Sequence, residues 1–260
     1  MIARLTTTIA AVAIAAGAWS FALSTPASAA GEAIELPQHD WSFSGPFGTY
    51  DRAALQRGFQ VYKNVCSGCH ALSYVAYRNL EDLGYNEDEI KAIAAEATVM
   101  DGPNDDGEMF ERPGIPADRF ASPFPNEKAA RAANGGAYPP DLSLIVKARP
   151  DGANYVRALL IGYTEPPADF NLMPGMNYNA YFPGHQIAMA QPLYGDDVTY
   201  EDGTPSTIEQ EAEDLTTFLA WASEPEMEER KRAGVMTLLF LLIFTGLLYA
   251  TKRKIWADVH

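Results

Sequence analysis

Two long uncharged runs bracket this chain, and the pattern between them is amphipathic. The first follows Met1-Ile2-Ala3-Arg4 and continues to about Leu23, interrupted by small residues and threonines, before Pro26-Ala27-Ser28-Ala29. One positive charge, an apolar run and an A-x-A site predict a secretory signal peptide over residues 1–29, against the competing reading of an N-terminal membrane helix. The second run, Ala233 to Thr251, would extend roughly 28 Å as a helix, enough for a bilayer core. Its Leu238-Leu239-Phe240-Leu241-Leu242-Ile243-Phe244 is apolar on every face, which suits lipid better than a soluble core, so a transmembrane helix is predicted at 233–251. Basic triplets flank the span on both sides, so positive charge alone does not orient it. The signal peptide does, predicting export of residues 30–232 and a cytoplasmic tail at 252–260, with Tyr249 and Trp256 as interfacial anchors.

Between the runs the periodicity is helical, with little strand signal. Leu55, Phe59, Tyr62 and Val65 recur at helical spacing and lead straight into Cys66. Asn86 and Glu89 form a capping pair for a helix with Ile90, Ile93, Ala94 and Ala97 on one face. A short helix over 127–134 stops at Gly135-Gly136, and Asp151 can cap one bearing Tyr155, Val156, Leu159 and Leu160. Ser206 and Glu209 read as a capping box for a last helix, whose stripe of Ile208, Ala212, Leu215, Leu219 and Ala222 ends before Pro225. Residues 101–126 and 164–206 are rich in proline, glycine and asparagine. Loops of that length in a compact domain are expected to wrap something, and a bound cofactor would supply the core that the helices alone do not.

Composition narrows the class. The 260 residues carry 19 Lys plus Arg against 34 Asp plus Glu, a net charge of −15, which excludes a nucleic-acid footprint. The acidity sits in residues 30–232, with 15 basic against 33 acidic side chains, a balance of −18. It clusters at Glu87 to Glu89, Asp105 to Glu111, Asp196 to Asp202 and Glu209 to Asp214. Such clusters either attract a basic partner over long range or merely keep the surface solvated.

Two cysteines cannot make a disulfide scaffold. Both lie in Cys66-Ser67-Gly68-Cys69-His70, the C-x-x-C-H signature of covalent c-type haem attachment. The spacing follows from the chemistry: two thiols add to the two haem vinyl groups, and the adjoining His70 then falls under the iron as its proximal ligand. A redox C-x-x-C pair would need a thioredoxin-like βαβ context, and a zinc site would need a second cysteine pair. The sixth iron ligand decides between electron transfer and an open site for ligand or oxygen chemistry. Met100, Met109, Met173, Met176, Met189, His39 and His185 are available. A place in the proline-rich loop before the last helix favours Met173, Met176, His185 and Met189, and spacing does not choose among those four.

Longer strings carry a resemblance. Arg57-Gly58-Phe59-Gln60-Val61-Tyr62-Lys63, the run Asp101 to Phe110, Asn134-Gly135-Gly136-Ala137-Tyr138-Pro139-Pro140-Asp141-Leu142-Ser143, Gly162-Tyr163-Thr164-Glu165-Pro166-Pro167, and Tyr181 to Met189 together resemble the cytochrome c1 family, as does Glu224-Pro225-Glu226 before the basic triplet. The match runs in order over residues 40–256. It implies a mainly α fold of the class I cytochrome c type with long loop insertions, N- and C-terminal helices packed together, and one C-terminal transmembrane helix.

The resemblance further implies one covalent haem c with Met189 as the sixth ligand opposite His70. It also implies Arg149 at a haem propionate, Tyr155 near the haem and Pro140 against the ring on the proximal side. The corresponding activity is one-electron transfer within the quinol:cytochrome c oxidoreductase, the cytochrome bc1 complex, with no catalytic site in this subunit. The expected partners are cytochrome b, a Rieske iron-sulfur protein and a basic soluble or membrane-tethered cytochrome c, in a dimeric complex of the bacterial inner membrane with the haem domain on the periplasmic side. The alternative is a membrane-anchored haem sensor or peroxidase-like protein with an open distal site. Relatives commonly carry a cysteine where Thr164 stands, bonded in some bacterial members to a second cysteine; no such disulfide can form here.

Overall fold

The computed structural model describes residues 34–258, so the signal-peptide reading lies outside the described residues. Every element named below lies in the unit Glu35–His260. It is mainly helical: α1 (Arg52–Val61), α2 (Glu87–Ala95), α3 (Glu127–Ala133), α4 (Gly152–Ile161), α5 (Ile208–Ser223) and α6 (Met227–Ile255). Two antiparallel ribbons, β1 (Thr98–Asp101) with β2 (Phe110–Pro113) and β3 (Asn177–Tyr178) with β4 (Gln186–Ile187), form inside segments whose composition predicts loop.

The core is the crossing of α1 and α5. Asp51 caps α1 by accepting from the Ala53 and Ala54 amides, and of the face that the periodicity predicts Leu55, Phe59 and Tyr62 are buried and Val65 half-buried. A π-helical turn, Tyr62–Cys66, carries α1 into the cysteine motif. Gly58 lies so close to α5 that a Cβ there would stand 2.0 Å from the Asp214 carbonyl oxygen and 2.8 Å from the Phe218 Cβ. The neighbouring Arg57 grips the buried Asp214 carboxylate with Nε at 2.8 Å and Nη2 at 2.9 Å, and reaches Asp202 with Nη1 at 2.7 Å. Burial pushes the Asp214 carboxyl above the usual range despite the opposing pull of Arg57. Around the crossing Phe59, Tyr62, Phe120, Phe218 and Trp221 make a continuous aromatic cluster, with centroid separations of 5.6 to 6.0 Å.

The Asn86–Glu89 capping box forms at α2 as its sequence predicts: Asn86 Oδ1 accepts from the Asp88 and Glu89 amides, and Glu89 Oε2 accepts from the Asn86 amide. Two other cap readings are corrected. Asp151 does take the N-cap position of α4, with a left-handed φ of 50°, but its carboxylate accepts from the side chains of Gln38 (Nε2) and Asn154 (Nδ2) rather than from the backbone amides of the first turn. At α5 the cap is Thr207, whose Oγ1 accepts from the Gln210 amide, because the Ser206 hydroxyl is turned to the buried Glu211. Glu211 Oε1 also accepts from the Asp197 amide, and burial pushes this carboxyl upward as well. The run from Glu209 to Asp214 is therefore no solvated acidic face, since Glu211 and Asp214 both lie in the interior.

Helix α6 continues through the uncharged run. Its most apolar 18-residue window has a mean hydropathy of 2.2 and buries nothing against the rest of the chain. A chain that leaves such a surface uncovered needs an apolar solvent for it, and 29 helical residues exceed what a bilayer core requires. The crossing generates a direct prediction: Gly58→Ala forces α1 and α5 apart and costs at least about 1–3 kcal/mol. It should appear as a lowered guanidinium midpoint of the haem-loaded protein by far-ultraviolet circular dichroism, and an unchanged midpoint would contradict the close approach.

Candidate haem site

The cysteine motif turns sharply at the end of the π-helical turn. The Ser67 amide donates to the Tyr62 carbonyl at 2.8 Å, and the Cys69 and His70 amides both donate to the Cys66 carbonyl, at 3.1 and 2.9 Å. Cys66 is buried and Cys69 exposed. Burial pushes the Cys66 thiol up to about 12, so it is held protonated at neutral pH. That is opposite to the depressed pKa of a redox C-x-x-C nucleophile.

His70 is fixed by one hydrogen bond. Its Nδ1 lies 2.8 Å from the Pro140 carbonyl oxygen, and since a carbonyl can only accept, Nδ1 carries the proton. The Nε2 lone pair is left available for a metal, the usual arrangement of an oriented imidazole ligand. Burial holds the ring below the ordinary histidine pKa, which keeps it in the neutral, ligating form. Pro140 thus meets His70 through its carbonyl.

That contact is one rung of a longer seam. The Leu142 amide donates to the Ala71 carbonyl at 2.9 Å, the Ser73 amide to Asp141 Oδ2 at 3.0 Å and the Tyr74 amide to the buried Ser143 Oγ at 3.1 Å. Asp141 Oδ1 takes the Ser143 amide at 2.8 Å, closing an Asx turn. Partial burial pushes the Asp141 carboxyl up, but the hydrogen bonds from Ser143 and Ser73 outweigh it and hold the group below the usual carboxylate range. Asp141 was not singled out from sequence, although an Asp two residues before a Ser, after two prolines, is a legible turn signal.

On the other side the loop after α4 is pinned to the C-terminus of that helix. Buried Asn179 donates from Nδ2 to the Leu159 carbonyl at 2.8 Å, and the Ala180 amide donates to the Gly162 carbonyl at 2.9 Å. The half-buried Met189 is held by its own carbonyl, which accepts from Tyr163 Oη at 3.1 Å and Asn177 Nδ2 at 3.2 Å. Tyr163 and Asn177 were missed in the sequence because neither residue type signals a support for a methionine. The three other distal candidates sit differently. His185 stacks on Tyr178 at 5.7 Å, with Nδ1 3.3 Å from the Asn179 carbonyl oxygen. Met173 is exposed and Met176 half-buried.

Tyr155 lies half-buried on α4. Arg149 is exposed just before that helix, and no carboxylate of the described residues lies within ion-pair distance of it. Two adjacent free thiols, an imidazole with a free Nε2 and an arginine without a protein carboxylate suit a covalent haem. Among the described residues no hydrogen bond or ion pair joins Met189, Tyr155 or Arg149 to the cysteine motif.

Fold and site together define a mainly helical c-type haem protein whose last helix is long and apolar enough to cross a membrane. The chain belongs to the cytochrome c1 family, whose model matches residues 41–259. It is 49% identical over 269 residues to "Cytochrome c1" of Rhodospirillum rubrum, covering 97% of this chain and 99% of that protein. It is 52% identical over 239 residues to "Cytochrome c1 1, heme protein, mitochondrial" of Arabidopsis thaliana, covering 92% and 78%. With "Cytochrome b/c1" of Bradyrhizobium diazoefficiens it shares 53% over 246 residues, 86% of this chain but 36% of that longer protein.

The seam yields a prediction. Asp141→Ala leaves two amides without acceptors and costs about 1–3 kcal/mol, lowering the thermal midpoint of the haem-loaded protein, while Asp141→Asn keeps one acceptor and recovers part of the loss. Because the folded carboxyl titrates below the unfolded one, its stabilisation is full above about pH 4 and is lost as pH falls through the folded pKa. The gap between the parent and the alanine variant should therefore narrow below about pH 4. A gap independent of pH would contradict this role for the charged carboxylate.

Proposed function

We propose that this chain is the electron-transferring haem subunit of a quinol:cytochrome c oxidoreductase, accepting single electrons from a Rieske iron-sulfur protein and passing them to a soluble or tethered cytochrome c. The observation that carries the reading is the His70 Nδ1 bond to the Pro140 carbonyl directly beside the paired thiols, which presents a neutral imidazole with Nε2 free. Cys66 and Cys69 would hold the haem as thioethers, and His70 Nε2 and Met189 would be the residues that bind its iron. Arg149 would offer its guanidinium fork to a propionate, Tyr155 would lie near the ring, and Pro140 orients His70 through its carbonyl. Bound haem supplies a one-electron iron couple, whose potential His/Met ligation raises.

The chain's own residues do the rest. The seam of residues 70–74 with 140–143 limits motion of His70, and the two hydrogen bonds on the Met189 carbonyl limit motion at the distal loop. A site held the same way in both oxidation states reorganises little on electron transfer. Nothing here makes or breaks a substrate bond, so the oxidation of quinol belongs to partner subunits. The relative named "Cytochrome b/c1" supports cytochrome b as one of them.

On this reading residues 1–29 are a signal peptide, 30–232 the exported body, 233–251 the membrane span and 252–260 a cytoplasmic tail, with the site on the periplasmic side of a bacterial inner membrane and the subunit in a dimeric complex. Asp105, Asp106, Glu108 and Glu111 are exposed and unpaired among the described residues, whereas Glu211 and Asp214 are interior and Asp202 serves Arg57. These carboxylates, three between β1 and β2 and one on β2, are therefore free to attract a basic cytochrome c.

Met189→Leu tests the ligand assignment against the open-site alternative. The oxidised parent should show the near-infrared methionine-to-iron band; the variant should lose it, fall in reduction potential and bind carbon monoxide when reduced. A parent that lacks the band and binds carbon monoxide rapidly would favour the haem sensor or peroxidase-like reading.

A further inference from the structure

We propose that the Pro46-Phe47 turn is a second membrane contact, a foot that seats in the phospholipid interface beside α6 and holds the globular body against the bilayer; this rests on reading α6 as a membrane-spanning helix. Phe47 is 81% exposed, more than Leu242, which at 70% stands in the middle of the apolar run. An aromatic ring presented so fully to water is expensive unless another phase covers it.

Its position says which phase. Phe47 shares one cleft with Glu228, Lys231, Arg232 and Val235 of α6, residues spaced i, i+3, i+4 and i+7 on a single helix face. Val235 lies two residues inside the uncharged run that starts at Ala233, about 3 Å along the helix axis. The ring therefore stands at the level where the run begins, which is the interfacial depth that aromatic side chains favour.

The turn is also braced. Lys231 Nζ donates to the Phe43 carbonyl at 2.6 Å and to the Gly48 carbonyl at 3.0 Å. Glu228 accepts from the Tyr50 amide at 2.8 Å and pairs with Arg52 at 3.0 Å. Trp41, Phe43 and Tyr50 stack in sequence behind it, at 5.3 and 5.4 Å. The turn and the first turns of α6 thus form one body. Lys231 and Glu228 are spent on that bracing, while Arg232 is exposed and has no ion-pair partner among the described residues. An apolar ring beside an unpaired guanidinium matches a phospholipid, with acyl carbon below and phosphodiester above.

The test is photocrosslinking in native membranes of the full haem-loaded chain carrying p-benzoylphenylalanine at position 47, with the same probe at Leu241 and at Glu108 in separate samples. Retained haem absorption certifies folding. The expected result is a phospholipid adduct at position 47 in yield within about threefold of that at 241 and at least about tenfold above that at 108, the contrast expected between lipid-facing and aqueous positions. Capture of another polypeptide at 47, or no lipid adduct there while 241 gives one, overturns the foot and leaves the membrane span intact. Failure at 241 as well overturns the span and the foot with it.

Discussion

The approach of α1 to α5 at Gly58 is the constraint from which the rest of this structure is built. With no side chain at that position the two backbones meet directly, and the neighbouring Arg57 can reach across to a carboxylate held wholly out of water. An ion pair in that setting gains little net stability, since desolvation offsets much of the attraction, but breaking it by removing one partner leaves a buried charge. Its effect is to make one crossing geometry far better than its neighbours. Because α1 runs through its π-helical turn into Cys66, the crossing also sets where the cysteine motif leaves the core. Structure and chemistry share one helix.

Beyond the crossing, irregular chain is held by side chains acting on backbone. Asp141 and Ser143 join two segments that never pair as strands, Asn179 ties the distal loop to the end of α4, and Glu211 holds the 194–206 segment through Ser206 and the Asp197 amide. Long loops are tolerable in a compact domain when their polar groups are satisfied in this way. The aromatic core packs around α1 and α5.

What could be read from the sequence follows from how local each signal is. Helices α1, α2 and α3 emerge from their apolar periodicity, a capping pair and a glycine stop, all of them interactions within a few residues. The C-x-x-C-H string is legible for the same reason, because five consecutive residues carry its chemistry. The cap signals mislead where the side chain finds another partner: Asp151 turns to Gln38 and Asn154, and Ser206 to Glu211, instead of accepting from the first-turn amides of their helices. The ribbons β1–β2 and β3–β4 were hidden by loop-like composition. Spacing alone could not rank four distal ligands either. The family strings point to Met189, and the bonds on its carbonyl come from Tyr163 and Asn177, residues with no recognisable pattern.

The net charge of −15 also changes meaning once the chain is folded. Two of its carboxylates are interior and others are bound to arginines, so the field a partner meets comes from fewer groups, among them those between β1 and β2. The most direct measurement of the central claim is stopped-flow spectroscopy of the purified membrane complex, following the c-type haem α-band after mixing with a quinol and then with oxidised cytochrome c. The band should appear on quinol addition and collapse as the added cytochrome is reduced, in a preparation that also contains b-type haem and an iron-sulfur cluster. A c-type haem that stays oxidised with quinol, in a chain that purifies without either of those centres, would contradict it.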